Sequence, residues 1–142
     1  MGKGPFAMKF TLRLPRAAPA AAAALALATP AMALPADAQW LFDDIDRVMG
    51  EALPMIRECA WARKEAWFED RYMIQCRDGF IELASALKAR DIELKKLLKR
   101  KDLPQSDRAA IEAKHRETKE MIDLSIEQAR EFNNTIGSRL PQ

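Results

Sequence analysis

Apolar residues recur at steps of three and four along most of the chain, a spacing that places them on one face of an α-helix. The first such run extends from Asp37, its predicted N-cap, to about Cys59. Gly50 and Pro54 fall inside it and are expected to bend or divide the helix, because proline removes a backbone donor and clashes with the preceding turn. The predicted buried face consists of Leu41, Ile45, Val48, Ala52, Met55 and Cys59.

A second helical run covers residues 60–101, with only Arg90 interrupting its apolar spacing. Gly79 is interpreted as a glycine tolerated within the helix, because Cys76 and Phe80 stay in phase across it. The predicted buried face consists of Met73, Cys76, Phe80, Leu83, Leu87, Leu94 and Leu97.

A loop predicted over residues 102–107, which contains Pro104 and several capping residues, separates this helix from a third. The third helix is predicted from about Asp107 to Ile136, with Gly137 as its C-terminal cap. Its predicted buried face consists of Ile111, His115, Thr118, Ile122, Ser125, Ala129, Phe132 and Ile136. No strand-like alternation occurs, so the sequence predicts an all-α antiparallel bundle of three helices, or of four if Pro54 or Gly79 forms a corner.

The first 33 residues have the pattern of an export leader. Lys9, Arg13 and Arg16 precede the alanine-rich run 17–28, and Ala31-Met32-Ala33 is a small-x-small cleavage pattern. The run is shorter than the roughly 20 apolar residues that span a bilayer. We therefore expect residues 1–33 to be a cleaved signal peptide, residues 34–142 to form one helical domain, and the protein to be periplasmic or secreted.

Cleavage changes the charge of the chain. Cleavage removes all four basic residues of the leader, Lys3, Lys9, Arg13 and Arg16. The whole chain has 23 basic and 21 acidic side chains, a net charge of +2, whereas the cleaved chain has 19 and 21, a net charge of −2. The basic character of the whole chain therefore belongs to the leader, and no nucleic-acid partner is predicted.

Cys59 and Cys76 are the only cysteines, and export to an oxidising compartment makes an intramolecular disulfide the expected state. In one unbroken helix their Cα atoms would lie about 25 Å apart, far beyond the disulfide limit of about 7 Å. The disulfide therefore requires a chain reversal, which we place within residues 60–66. The alternatives are an intermolecular bridge or free thiols.

Sulfur-containing side chains also suggest an alternative chemistry. Two pairs lie at helical spacings: Met55 with Cys59, and Met73 with Cys76. With both cysteines reduced, these four side chains and the single histidine, His115, would suit Cu(I). Methionine and cysteine are equally common core residues, and no ligand motif of established spacing is present. We therefore predict no metal and no cofactor, and His115 is expected at the polar boundary of its helix face.

Two further groups are candidate partner-binding residues. Trp61, Phe68 and Tyr72 recur at steps of seven and four; they either close the core or anchor a partner protein. A basic cluster lies near the end of the second helix, where it complements the helix dipole or contacts anionic lipid or an acidic partner. This cluster contains Lys95, Lys96, Lys99, Arg100 and Lys101.

Motifs of catalysis are missing from the sequence. It contains no phosphate-binding glycine loop, no haem attachment motif, no HExxH and no recognisable nucleophile motif. We therefore expect an exported, non-enzymatic helical protein that acts through protein–protein contact as an accessory subunit, adaptor or small chaperone, with self-association left open. The alternative hypothesis is a periplasmic copper-type metal carrier or sensor.

Overall fold

The computed structural model describes residues 33–65 and 69–138, which form three α-helices. The helices are α1 (Ala36–Glu65), α2 (Asp70–Leu98) and α3 (Gln105–Gly137). Later residues of α1 contact earlier residues of α2, and the same holds for α2 and α3, so consecutive helices are antiparallel. The predicted all-α bundle of three helices is confirmed. The predicted signal peptide lies outside the described residues, apart from Ala33.

The core follows the apolar faces predicted for the three helices. α2 packs along α3 over most of its length, whereas α1 packs mainly on α2 and approaches α3 at few points. Thr118 and Ser125, the two small polar residues in the α3 face, are buried and donate their hydroxyl hydrogen bonds to the carbonyls of Lys114 and Met121 one turn earlier. Buried apolar side chains include Leu41, Ile45, Met73, Phe80, Leu87, Leu94, Ile111, Ile122 and Phe132.

Arg90, the one interruption in the α2 apolar spacing, joins α2 to α1. Its Nε lies 2.7 Å from a carboxylate oxygen of Asp44, which also pairs with Arg47 at 2.6 Å. The hydrogen bond from Arg47, reinforced by Arg90, lowers the pKa of Asp44 below its ordinary value although partial burial opposes the shift. The break in the pattern therefore marks an interhelical ion pair.

The α1 helix differs from the prediction at its beginning and in its middle. It starts at Ala36, so Asp37 lies in the first turn and not at the N-cap; its carboxylate accepts a 2.9 Å hydrogen bond from the Ala38 amide. Gly50 and Pro54 were expected to bend or divide the helix; division is wrong, because α1 continues through both residues. Packing against α2 on both sides of the proline holds the helix together.

The reversal between α1 and α2 lies at or beyond the end of the predicted range, residues 60–66. α1 continues to Glu65 and α2 begins at Asp70, so residues 60–65 are helical and contain no reversal. Gly79 is inside α2, as predicted. A Cβ atom at that position would lie 3.0 Å from Cγ of Met55, so glycine allows α1 and α2 to approach closely there.

The connection between α2 and α3 covers residues 99–104, three residues earlier than the predicted loop. Arg108 in the first turn of α3 donates 2.5 Å hydrogen bonds to the carbonyls of Leu98 and Arg100, groups that have no partner within α2. At the other end, Gly137 is the last helical residue and Ser138 occupies the C-cap position with helical backbone angles. The prediction of Gly137 as the C-terminal cap is therefore wrong by one residue.

None of α1, α2 and α3 is long and apolar enough to cross a membrane.

Candidate protein-binding groove

Two ion pairs connect α1 to α3, which run parallel to each other. Lys114 Nζ lies 2.6 Å from Asp46, and Arg63 Nη1 lies 2.9 Å from Glu131. Both pairs have the same sequence separation, 68 residues. The two helices therefore keep a constant register between bridges that lie about 25 Å apart along each helix.

Between these two bridges α1 and α3 leave an apolar groove of about 440 Å³. Its floor is formed by the buried residues Cys59, Phe80, Ser125 and Phe132. The walls and rims of the groove are Ile56, Ala60, Arg63, Lys64, Met121, Leu124 and Gln128. Small side chains contribute to the opening, because Ala60 and Ser125 leave space that larger side chains would fill.

Arg63 orders one end of the groove. Its Cζ lies 4.6 Å from the centre of the Phe132 ring, and its Nη2 donates a 2.7 Å hydrogen bond to Gln128. The guanidinium is therefore fixed by stacking, by this hydrogen bond and by its ion pair with Glu131. The groove consequently ends in an ordered polar rim rather than in a mobile side chain.

Two leucines beside the groove expose much of their surface. Leu53 on α1 is 42% exposed and Leu124 on α3 is 51% exposed. Single exposed leucines are ordinary on protein surfaces, but Leu124 lines the apolar groove, and Leu53 lies about one helical turn before Ile56, another lining residue. The arrangement suits the docking of an apolar helix face, in which side chains of the partner fill the space between two helices.

The disulfide lies directly beneath this groove. Cys59 and Cys76 are bonded within the chain, with their Cα atoms 5.6 Å apart, so the predicted intramolecular pairing is confirmed. Both residues are buried. The bond joins the last turns of α1 to the first turns of α2 and fixes the α1 wall of the groove.

The residues considered for Cu(I) do not form one group: Met55 lies beside the two cysteines, but His115 does not. The disulfide occupies both cysteine sulfurs, and Met55 Sδ lies 3.7 Å from Cys59 Sγ. His115 instead contacts Asp91, which lies 15 residues, or about 22 Å, along α2 from Cys76. Within the described parts of the chain, no group of three or more His, Cys, Asp or Glu side chains is arranged to hold a metal ion.

Two of the aromatic candidates, Trp61 on α1 and Tyr72 on α2, contact each other and differ in exposure. Trp61 is 52% exposed, and its ring meets the half-buried ring of Tyr72 edge-on at a centroid distance of 5.9 Å. Both line a second cavity, of about 230 Å³, on the α2 side of the disulfide. Phe68 lies outside the described residues. For Trp61 the core alternative does not hold, since half of its surface is accessible.

Several cations of the basic cluster have carboxylate partners. Lys96 pairs with Glu93 at 3.0 Å, and Lys95 lies 3.8 Å from Asp91. Arg100 pairs with Asp102 and with Asp37, and the Asp102 hydrogen bond raises the pKa of its guanidinium. Lys99 and Lys101 are exposed. These pairings favour the interpretation of this cluster as a solvated, ion-paired helix end.

Sequence reasoning missed the residues that shape the groove. Arg63, Leu124 and Gln128 received no role, because none of them belongs to a predicted apolar face. One signal was available: Leu124 is a large apolar residue on the polar side of α3, in a stretch rich in glutamate. The groove itself depends on the separation of two helices, which periodicity does not encode.

Comparisons with known proteins give no match: no family model, no curated protein and no solved structure is significantly similar to this chain.

Proposed function

We propose that this chain is an exported, non-enzymatic helical protein that acts through protein–protein contact, with the groove between α1 and α3 as its contact surface. The observation that carries the proposal is the apolar groove with the exposed Leu124 in its lining. An accessory subunit, adaptor or small chaperone works through a surface of this kind, and the expected partner surface is helical.

The rigidity of the groove supports the proposal. Its α1 wall is tied to α2 by the disulfide, and the ion pairs of Lys114 and Arg63 hold α1 and α3 in register. A preformed site loses little conformational freedom on binding, so its apolar surface contributes more fully to affinity. The leader pattern of residues 1–33 supports the export half of the proposal.

Site-specific crosslinking tests the contact surface. A photoreactive amino acid replaces Leu124 in the groove, and a matched control carries it at Ser85, an exposed α2 residue outside the groove. In the producing cells we expect a discrete higher-mass product from position 124 only, and its loss when Leu53→Glu is added. Equal crosslinking at both positions, or no product at position 124, would contradict the proposal.

Intact mass of the protein recovered outside the cytoplasm tests export. The expected species consists of residues 34–142, is two hydrogens lighter than the reduced form, and resists alkylation until it is reduced. Recovery of a full-length chain only from the cytoplasm would refute export. The proposal of a contact surface would then depend on the crosslinking result alone.

A further inference from the structure

Two exposed helix faces border the groove on the same side of the bundle. The α1 face follows steps of four, three and four, and the α3 face follows steps of three and four, so each forms a continuous strip along its helix. The groove reaches both strips, since Ala60, Lys64 and Leu124 line it. The α1 face consists of Leu53, Arg57, Ala60 and Lys64; the α3 face consists of Glu117, Glu120, Leu124, Glu127 and Glu131.

The two faces carry opposite charge, and each contains one leucine: Leu53 at the start of the α1 face and Leu124 in the middle of the α3 face. In the α3 face, Glu117 and Glu131 already pair with Lys114 and Arg63. The other four charged residues of the two faces form no ion pair within the described residues; these are Arg57 and Lys64 on the α1 face, and Glu120 and Glu127 on the α3 face. Two unpaired cations therefore stand on one side of the groove and two unpaired anions on the other.

A two-fold axis parallel to the helices matches these faces with one another. Such an axis places the α1 face of one copy over the α3 face of a second copy, and the reverse, so that the same contact is made twice. An axis perpendicular to the helices and in the plane of the contact would instead place glutamates over glutamates. Charge complementarity therefore selects the parallel arrangement.

The register between α1 and α3 also fits this arrangement. With the 68-residue offset of the two bridges, Leu53 is level with Met121 and about 5 Å along the axis from Leu124. By the same offset Arg57 is level with Ser125, between Glu120 and Glu127. Leucine would meet leucine and cation would meet anion without any shift of one copy along the other.

We infer that the partner of the groove is a second copy of this chain, forming a parallel two-fold dimer in which the α1 face of each copy packs on the α3 face of the other. The inference rests on the proposed function of the groove and names the partner that covers it. The face spans two helices, about 20 Å, and about 25 Å of length, so the pair buries roughly 1,000 Å². That area lies at the lower end of specific interfaces, and a micromolar dissociation constant is expected.

A charge-swap experiment tests the dimer by sedimentation equilibrium of the oxidised protein. We expect the wild-type protein to be a dimer at about 100 μM. Arg57→Glu/Lys64→Glu and Glu120→Lys/Glu127→Lys should each be monomeric at the same concentration, because every contact then joins like charges. A one-to-one mixture of the two variants should restore the dimer, since both contacts become complementary again.

Matched controls separate loss of association from loss of folding. Lys88→Glu/Lys119→Glu reverses two exposed lysines outside the two faces and should leave the dimer intact. Circular dichroism should report the same helicity and a cooperative melt for all variants. A monomeric wild type at this concentration, a dimer insensitive to both swaps, or a mixture that stays monomeric would each overturn the inference.

The crosslinking experiment at position 124 distinguishes the dimer from the more general proposal that the groove is a contact surface. A product with twice the mass of the chain supports the dimer. A product of any other mass, together with a monomeric wild type, overturns the dimer while the contact surface stands. No product at position 124 and a monomeric wild type overturn both.

Discussion

His115 on α3 and Asp91 on α2 form a hydrogen bond of 2.5 Å from Nδ1 to Oδ1 across the helix interface. The Asp91 side chain is 9% exposed and that of His115 is 23% exposed. Since a carboxylate only accepts hydrogen bonds, the imidazole N–H donates and satisfies an acidic group that few other groups reach. The single histidine therefore stabilises the contact between α2 and α3.

Replacement of this histidine tests its structural role. His115→Ala leaves the buried Asp91 carboxylate with Lys95 at 3.8 Å as its nearest ionic partner, so we expect a loss of about 1–3 kcal/mol in the free energy of unfolding. His115→Asn retains a donor near the Nδ1 position and should recover part of that loss. Urea unfolding at pH 7 measures both, with the exposed Arg116→Ala as control; equal stability of all three variants would contradict the structural role.

The disulfide is also expected to stabilise the folded protein. It closes a segment with a sequence separation of 17 residues, and a loop of about this length corresponds to about 3 kcal/mol of stabilisation in the chain-entropy description. Reduction, or the double change Cys59→Ala/Cys76→Ala, should lower the free energy of unfolding by about that amount. A urea midpoint that does not change with reductant would show that the covalent link adds nothing to the bundle.

Alanine substitutions at two helical glycines are expected to have different effects on stability. A Cβ atom added at Gly50 meets nothing within 4 Å, so Gly50→Ala should stabilise the protein by about 0.5–1 kcal/mol through helix propensity. At Gly79 the same atom lies 3.0 and 3.1 Å from Cγ and Sδ of Met55, and the gain should be cancelled or reversed.

Thermal melting of the two glycine variants beside the wild type measures this difference. Gly79→Ala combined with Met55→Ala relieves the crowding and serves as a control, because in that background the added methyl group should stabilise. An equal gain from alanine at both glycines would disprove the close approach of α1 and α2 at Gly79.

The Asp44 ion pairs predict a specific acid dependence. The pKa of Asp44 is lowered in the folded protein, first by the hydrogen bond from Arg47. Its contribution to stability is therefore present above the unfolded value near 3.8 and is lost as the pH falls through the lower folded value. Asp44→Asn should cost about 1 kcal/mol at pH 7 and progressively less below about pH 4.

Urea unfolding between pH 7 and pH 2 measures the dependence for the wild type and for Asp44→Asn. Asp43→Asn, an exposed neighbour, should follow the wild type throughout the range. A stability difference between Asp44→Asn and the wild type that stays constant down to pH 2 would show that the ion pairs with Arg47 and Arg90 do not determine it.

The spacing of apolar residues predicted the three-helix fold well, but it predicted the ends of the helices less well. Leu87, Leu94 and Ile111 are buried where the apolar spacing placed them, because the helical period directly determines which side chains share a face. Helix ends depend instead on packing and on distant partners. Pro54 lies inside a continuous helix, and Arg108 supplies hydrogen bonds to the end of α2, neither of which follows from adjacent residues.

The sequence by itself determined the helical class and the faces that form the core, and it favoured pairing of the two cysteines, because these depend on spacing and on residue chemistry. Only the tertiary structure decided where α1 reverses, that His115 is far from the disulfide, and that α1 and α3 separate between the bridges of Lys114 and Arg63. A groove arises from the distance between two helices, and that distance is set by side chains from all three helices together.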